Sequence, residues 1–377
     1  MNILRLLKRE FWQSLHDPRR IGFLFAAGVA YLIVFGMLYY PNLVKNIPAV
    51  IYDEDNSALS RELIKDFEAS DSYSITAYVS SQEEMQQALR DKTALVAIGI
   101  PKDFARHVKT GSHSTVLYMV NGANIIVTNV TSSAAQDIVN SFSTKVAAER
   151  AALRLGANKE AMAKHIAPVT VNYRVLDNPT QGYVKFFLLG LACVAFQQGI
   201  FFAVGASISY ETEHPDEAAV APAWQLVLAK LLFYWSQAVI AWLIIVALIE
   251  AVVGLPLQAP LWQLLSLSLL FIAAAMGFGM FVASCFRNEM QFLRAIIMYP
   301  VAAFILSGYT WPLDSLPPVL QDIAHLFPLT WFSNNVRQLF LAGHTPGLST
   351  SLTALAVMAA SYLVIAILLC RWRWCRS

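Results

Sequence analysis

Four carboxylates, Glu211, Glu213, Asp216 and Glu217, fall within residues 211–221, a stretch with no lysine or arginine. So dense an acidic cluster, with His214 beside it, suits ionic docking against a basic groove on another protein. An ordinary solvated acidic turn has the same composition. Elsewhere the residue types that do covalent or metal chemistry do not converge. His107, His113 and His165 are scattered, without a second ligand at metal spacing, and read as solvated or capping side chains. Cys193, Cys285, Cys370 and Cys375 show no zinc-type spacing. Gly-x-x-Gly phosphate loops are absent, and no G-x-x-x-x-G-K-[ST] loop occurs, so the chain does not bind ATP by that route. No catalytic residue, metal or cofactor is expected.

The remaining polar candidates are amides inside apolar runs: Gln197, Gln198 and Gln237. They are the candidates for a translocation path. Ion-coupled carriers place ionisable groups at the bilayer midplane. Here Lys185, Lys230, Glu250 and Arg294 all lie near the ends of apolar runs, which disfavours an antiporter.

The elements that must position these residues belong to a membrane protein. The chain is 57% hydrophobic and 14% charged, with a mean hydropathy of +0.51, against about 25% charged in globular proteins. A net charge of +2 without a basic run gives no reason to expect nucleic acid as a partner. Residues 21–40 carry no charge and are long enough to cross the hydrocarbon core. Five more apolar runs follow at 184–209, 227–253, 261–285, 292–308 and 349–370. Between the first and second, residues 41–183 hold 29 of the chain's 52 charged residues and no cysteine. A cleaved signal peptide is disfavoured, because the first run is long and ends in MLYYPNLV without a small-x-small site.

Short-loop lysines and arginines stay on the cytoplasmic side. Arg5, Lys8, Arg9, Arg19 and Arg20 precede the first span, Arg287 and Arg294 lie around the fourth loop, and Arg371, Arg373 and Arg376 close the chain. Residues 254–260 have no base and residues 309–348 only Arg337. Both termini are therefore expected inside, and residues 41–183 outside the cytoplasm.

Within residues 41–183, strand and helix patterns alternate. IPAVIYDEDN reads as a strand and turn, SALSRELIKDFEAS as a helix opened by Ser57, and SITAYVS as a strand. SQEEMQQALRDKT is a helix with a Ser81–Glu84 capping pattern. The strand ALVAIGIP, the short helix DFARHVKTG, the strand TVLYMVNG and a long helix over 124–155 follow, before an extended piece, VTVNYRVLDNP. That alternation predicts a small α/β domain with a partly parallel sheet. It reads as a docking or gating module.

Two segments flank this plan. In residues 1–18, Ile3, Leu4, Leu6, Leu7, Phe11 and Trp12 recur at helical spacing among Arg5, Lys8, Arg9 and Glu10. That predicts a helix lying in the inner interface, its bases toward anionic lipid, ended by Asp17-Pro18. Residues 309–330 mix Pro312, Pro317, Pro318 and Pro328 with aromatic residues. Irregular backbone at membrane depth is tolerated only when shielded by protein. A re-entrant hairpin at the outer end fits, with Gly308, Trp311, Pro312, Pro317 and Pro328 as gate residues. An apolar loop packed against the outer domain is the other reading.

KREFWQSLHDPRR before the first span, and LSGYTWPLDSLPPVLQDIAHLFPLTWFSNNVRQLFLAG after the fifth, resemble a type-2 ABC exporter permease. The subgroup is the one with a large extracytoplasmic domain between its first two spans. The second segment carries Ser307-Gly308, Pro312 and Pro317, Pro328-Leu329-Thr330, Arg337, Phe340-Leu341 and Gly343. The resemblance implies an α-helical polytopic membrane protein of six transmembrane helices with an inserted α/β extracytoplasmic domain. It implies that the loop after the second span couples to a separate ABC ATPase subunit. This chain keeps Glu211 and Glu213 but has His214-Pro215-Asp216-Glu217 where the family has Gly-Thr-x-Glu. A second permease subunit, identical or related, completes the implied unit in a bacterial inner membrane.

The expected function is ATP-driven export of a hydrophobic or amphipathic substrate, with membrane lipid around the chain. Docking of a periplasmic adaptor protein on residues 41–183 is left open. The alternative is a non-transport scaffold whose outer domain organises an envelope or secretion assembly.

Overall fold

The computed structural model describes residues 3–38, 45–123, 125–155, 184–214 and 221–374. They belong to two compact units, one of Met1–Asn42 with Val175–Ser377 and one of Leu43–Arg174.

The first unit is helical. Helix α1 (Ile3–His16) ends at Asp17, and α2 (Pro18–Leu38) starts on a proline, whose missing N–H suits a first helical turn. After the second unit come α7 (Leu189–Glu213), entered through a π-turn at Val184–Leu188, α8 (Ala223–Val253) and α9 (Leu261–Cys285). Then follow α10 (Glu289–Ile296), α11 (Tyr299–Leu306), α12 (Pro318–His325), α13 (Ser333–Leu341) and α14 (Leu348–Trp374). Among the described residues, six stretches are long and apolar enough to cross a membrane: α2, Lys185–Glu213, α8, α9, Glu289–Leu306 and α14.

Helix α7 is the centre of this unit and is buried along most of its length. Helix α2 lies against it at Gly199, where an added Cβ would stand 2.9 Å from the Phe23 carbonyl oxygen. Only glycine lets two backbones approach so closely. The Phe271 and Phe332 rings stack at 3.8 Å, and Trp242 closes on Phe196 at 5.0 Å. Outward faces such as Ile33, Val34 and Met37 on α2, or Val357 and Val364 on α14, are apolar and exposed, as a lipid-facing surface requires.

The fifth apolar run, expected as one helix over 292–308, is two. Pro300 has no N–H to give the Ile296 carbonyl, so the helix breaks at Ile297–Met298 and restarts at Tyr299. Residues 309–330 are also more regular than expected. A 3₁₀ turn at Leu313–Ser315, the helix α12 and a second turn at Pro328–Trp331 fit between the prolines. Pro318 and Pro328 stand at first helical positions, where their lack of a donor costs nothing.

The second unit contains β1 (Ile47–Asp53), α3 (Ala58–Glu68), β2 (Tyr73–Tyr78) and α4 (Gln82–Arg90). It continues with β3 (Val96–Ile100), α5 (Phe104–Thr110), β4 (Leu117–Val120) and α6 (Ile125–Leu155). The sheet order is β2-β1-β3-β4, with β1 parallel to β2 and β3, and β4 antiparallel to β3. Phe67, Phe104 and Phe142 fill the core between the sheet, α3, α5 and α6. The caps carry one refinement: Ser81 accepts from the Glu84 N–H, but the Glu84 carboxylate accepts from the Ser80 N–H and hydroxyl. The extended piece 169–179 and His165 lie outside the described residues.

Candidate coupling end, outer segment and pathway

At one end of the helical unit, α1 is fastened to α7 and α8 by charges that are almost wholly buried. Leu6, Glu10 and Ser14 recur at i, i+4 and i+8 and face inward, each 1–2% exposed. The Lys230 ammonium of α8 donates to Glu10 Oε1 at 2.5 Å and to Ser207 Oγ at 2.9 Å, and lies 3.0 Å from Glu211 Oε1. Ser207 donates in turn to Glu10 Oε2 at 3.2 Å. On its other side Glu211 receives Arg9 through both oxygens at 3.0 Å. Ser14 and Tyr234 hydroxyls meet at 3.3 Å, and Arg20 lies over the Tyr210 ring at 5.0 Å. Two acids and two bases thus neutralise one another across three elements, which is what permits charge to be buried at all.

This corrects two expectations. The charges of α1 do not all turn toward lipid: Glu10 is buried and Arg9 turns to Glu211, while Arg5 and Lys8 stay exposed alongside the apolar Leu4, Phe11, Trp12 and Leu15. Glu211 is not a free acid of the loop. It lies inside α7, fully buried and ion-paired, because α7 runs on through Glu213. Of the remaining acids, Glu213 accepts from the Glu289 N–H at 2.9 Å, capping the start of α10. The His214 ring stacks on Tyr210 at 4.3 Å. Asp216 and Glu217 lie outside the described residues.

The same end collects α14, whose Trp374 indole donates to Thr212 at 3.4 Å and whose Arg373 donates to the Cys285 carbonyl at 2.9 Å. Just outside α2, the hydrogen bond from Arg19 holds the Asp17 carboxyl below its usual range.

At the opposite end the buried aromatic is Tyr309, not Trp311. Tyr309 is 2% exposed and its hydroxyl donates to the Phe186 carbonyl, whereas Trp311 is 56% exposed. The Arg337 guanidinium sits over the Tyr309 and Phe186 rings at 4.6 and 4.9 Å and donates to the Tyr309 carbonyl at 3.2 Å. Burial pushes that guanidinium below its ordinary pKa. Gly308 turns the chain with φ +76°, where a side chain would be strained and would also meet Leu313. Pro312 and Pro317 are exposed and Pro328 is buried.

Of the three amides, Gln197 is buried and donates to the Tyr299 hydroxyl at 3.2 Å. Gln198, next to it in the middle of α7, has both amide atoms enclosed with no hydrogen-bond partner. Gln237 is half-buried on α8. No cluster of three or more metal-ligating side chains occurs among the described residues.

Sequence reasoning missed Glu10, Ser207, Lys230 and Tyr309 as members of these arrangements. A signal for Glu10 existed in the Leu6-Glu10-Ser14 spacing. Lys230, standing in an otherwise apolar run, signalled that a buried partner was required.

The ABC-2 family transporter protein family matches residues 21–368, and the chain belongs to it. It is a membrane-spanning permease of an ABC transporter, a class that works with an ATPase subunit. The "probable multidrug ABC transporter permease YbhR" of Escherichia coli (strain K12) is 22% identical over 340 residues, covering 89% of each chain. The "inner membrane transport permease YhhJ" of the same strain is 24% identical over 314 residues, 80% of this chain and 79% of the relative. The "linearmycin resistance permease protein LnrN" of Bacillus subtilis (strain 168) is 21% identical over 361 residues, 90% of this chain and 91% of the relative.

Proposed function

We propose that this chain is the permease of an inner-membrane ABC exporter that moves hydrophobic or amphipathic compounds outward. The observation that carries this reading is the buried Arg9–Glu211–Lys230–Glu10 network. It binds α1 and the two helix ends flanking residues 215–220 into one body at the basic end of the unit. The charge rule assigns that end to the cytoplasm, where an ATPase acts. A push on the loop then moves α1, α7 and α8 together.

The substrate class follows from the membrane unit's lining. The unpaired amide of Gln198 is a polar group kept at a cost inside apolar surroundings. Together with Gln237 it supplies hydrogen bonds along a path without midplane charge. The multidrug and linearmycin names of two relatives agree with such cargo. A second permease subunit, identical or related, stands beside the first in the membrane, and residues 41–183 lie outside, where an adaptor protein can dock. The segment 307–330 closes the outer end of the path.

The test separates the acids by role. Glu213, Asp216 and Glu217 replaced together by lysine should leave the protein inserted while abolishing coupling between ATP hydrolysis and export. Glu211→Lys should instead destabilise the chain itself. Full export by the triple variant would remove this loop from the mechanism.

A further inference from the structure

Where α2, α7, α10 and the turn after it meet, the helical unit encloses a cleft of about 220 Å³. Its mouth carries both charge signs: Arg19 and Arg20 on the α2 side, Asp17 beside them, and Glu289 at the start of α10. Arg19 donates to Asp17 at 2.8 Å and Arg20 at 3.2 Å, so the mouth is already an ordered, neutral array. Its walls are apolar. Phe23 meets Phe202 edge to face at 5.2 Å, and Leu293 and Ile297 stand opposite, with Ala206 as floor. Phe23 and Ile297 remain 50% and 63% exposed, so the apolar wall runs out of the cleft onto the outer surface of the helices.

Three features select the occupant. The cleft lies at the boundary between α1, an interfacial helix, and α2, a span, which is the level of lipid headgroups. Its volume falls below the roughly 300–1,000 Å³ of a pocket for a drug-sized molecule. It admits a headgroup and the first part of a chain, not a whole amphipathic drug. Equal numbers of cations and carboxylates at the mouth would repel a singly charged headgroup as much as attract it, but pair with one that carries both signs.

We infer that this cleft binds the headgroup of a zwitterionic membrane phospholipid, with the phosphate on Arg19 beside Arg20 and the ammonium toward Glu289. The acyl chain lies along Phe23, Phe202 and Ile297. The inference rests on the permease reading only in placing Arg19 at the headgroup level of the inner leaflet.

The full-length chain is exchanged in detergent against mixed vesicles holding equal phosphatidylethanolamine and phosphatidylglycerol, and retained lipids are counted by native mass spectrometry. The wild type should keep one phosphatidylethanolamine in preference to phosphatidylglycerol. Arg19→Ala and Glu289→Gln, both at the mouth, should each weaken retention about tenfold, the effect of one hydrogen bond to a charged group. Ala206→Trp, which fills the floor, should abolish it. Equal retention of both lipids by the wild type, or retention unchanged in both Arg19→Ala and Glu289→Gln, would overturn the inference. A separate arm isolates the underlying orientation. Arg19→Cys on a cysteine-free background should resist an impermeant maleimide in intact cells. Labelling there would sink the placement of the basic end, whatever the lipid count.

Discussion

Lys230 has no exposed surface, and its ammonium is held by two carboxylates and a hydroxyl. Removing one partner of a buried pair leaves the other charge stranded, at a cost of about 3–5 kcal/mol. Lys230→Met should therefore lower the thermal unfolding midpoint of the purified protein sharply. Adding Glu10→Gln should recover much of the loss, because Glu211 keeps Arg9. If the single and double variants melt alike, the network is not the fastening described. The adjacent amides divide in the same way. Gln197→Ala should cost about 1–3 kcal/mol, since the buried Tyr299 hydroxyl loses its donor. Gln198→Ala breaks no hydrogen bond, so it should spare stability and alter export or substrate-stimulated ATP hydrolysis. Equal melting losses in both variants would place Gln198 in the core and not the path.

At the scale of elements, the segment after α11 holds by packing between short helices, and Tyr309 is the residue that ties it down. Its hydroxyl on the Phe186 carbonyl and its ring under Arg337 join that segment to the start of α7 and to α13. Truncation of a buried aromatic typically costs about 3–5 kcal/mol. Tyr309→Ala should accordingly speed hydrogen exchange across 309–327 and leave export leaky. Trp311→Ala should do neither, because that ring is exposed. Exchange at free-loop rates across the segment in the wild type would end its proposed role as a closure. A second element-level contact is testable by bulk alone: Gly199→Val would drive a branched side chain into the α2 backbone, an overpacking worth about 1–3 kcal/mol.

For the whole molecule, the proposed orientation rests on the arrangement of bases. Arg5, Lys8 and Arg9 before α2, Arg287 and Arg294 around α10, and Arg371 and Arg373 in the last turn of α14 belong to the same end of the helical unit. By the positive-inside tendency we propose that this end is cytoplasmic and residues 41–183 are outside. Asp137, exposed on α6, is a suitable reporter. Asp137→Cys, with the native cysteines replaced, should react with an impermeant reagent in intact cells. Labelling only after lysis would reverse the orientation.

Hydrophobic runs and short-range patterns were legible because they answer to local physics. Span lengths, the strand–helix alternation of residues 47–155, the Ser57 and Ser81 caps and the basic ends all follow from neighbours in the chain. The break before Tyr299 was within reach of the same rules, since Pro300 is printed in the sequence. What no local rule could supply was pairing across distance. Arg9 and Glu211, Glu10 and Lys230, and Tyr309 and Phe186 stand far apart in the chain. Glu211 looked like one of four loop acids until α7 carried it inward to meet two bases. Lys230 looked like a span-end charge until α1 folded over it. The sequence alone determined that this chain crosses a membrane and roughly where its long apolar runs lie. Only the tertiary structure decided which charges are buried, because a charge can leave water only where another element brings its counter-charge.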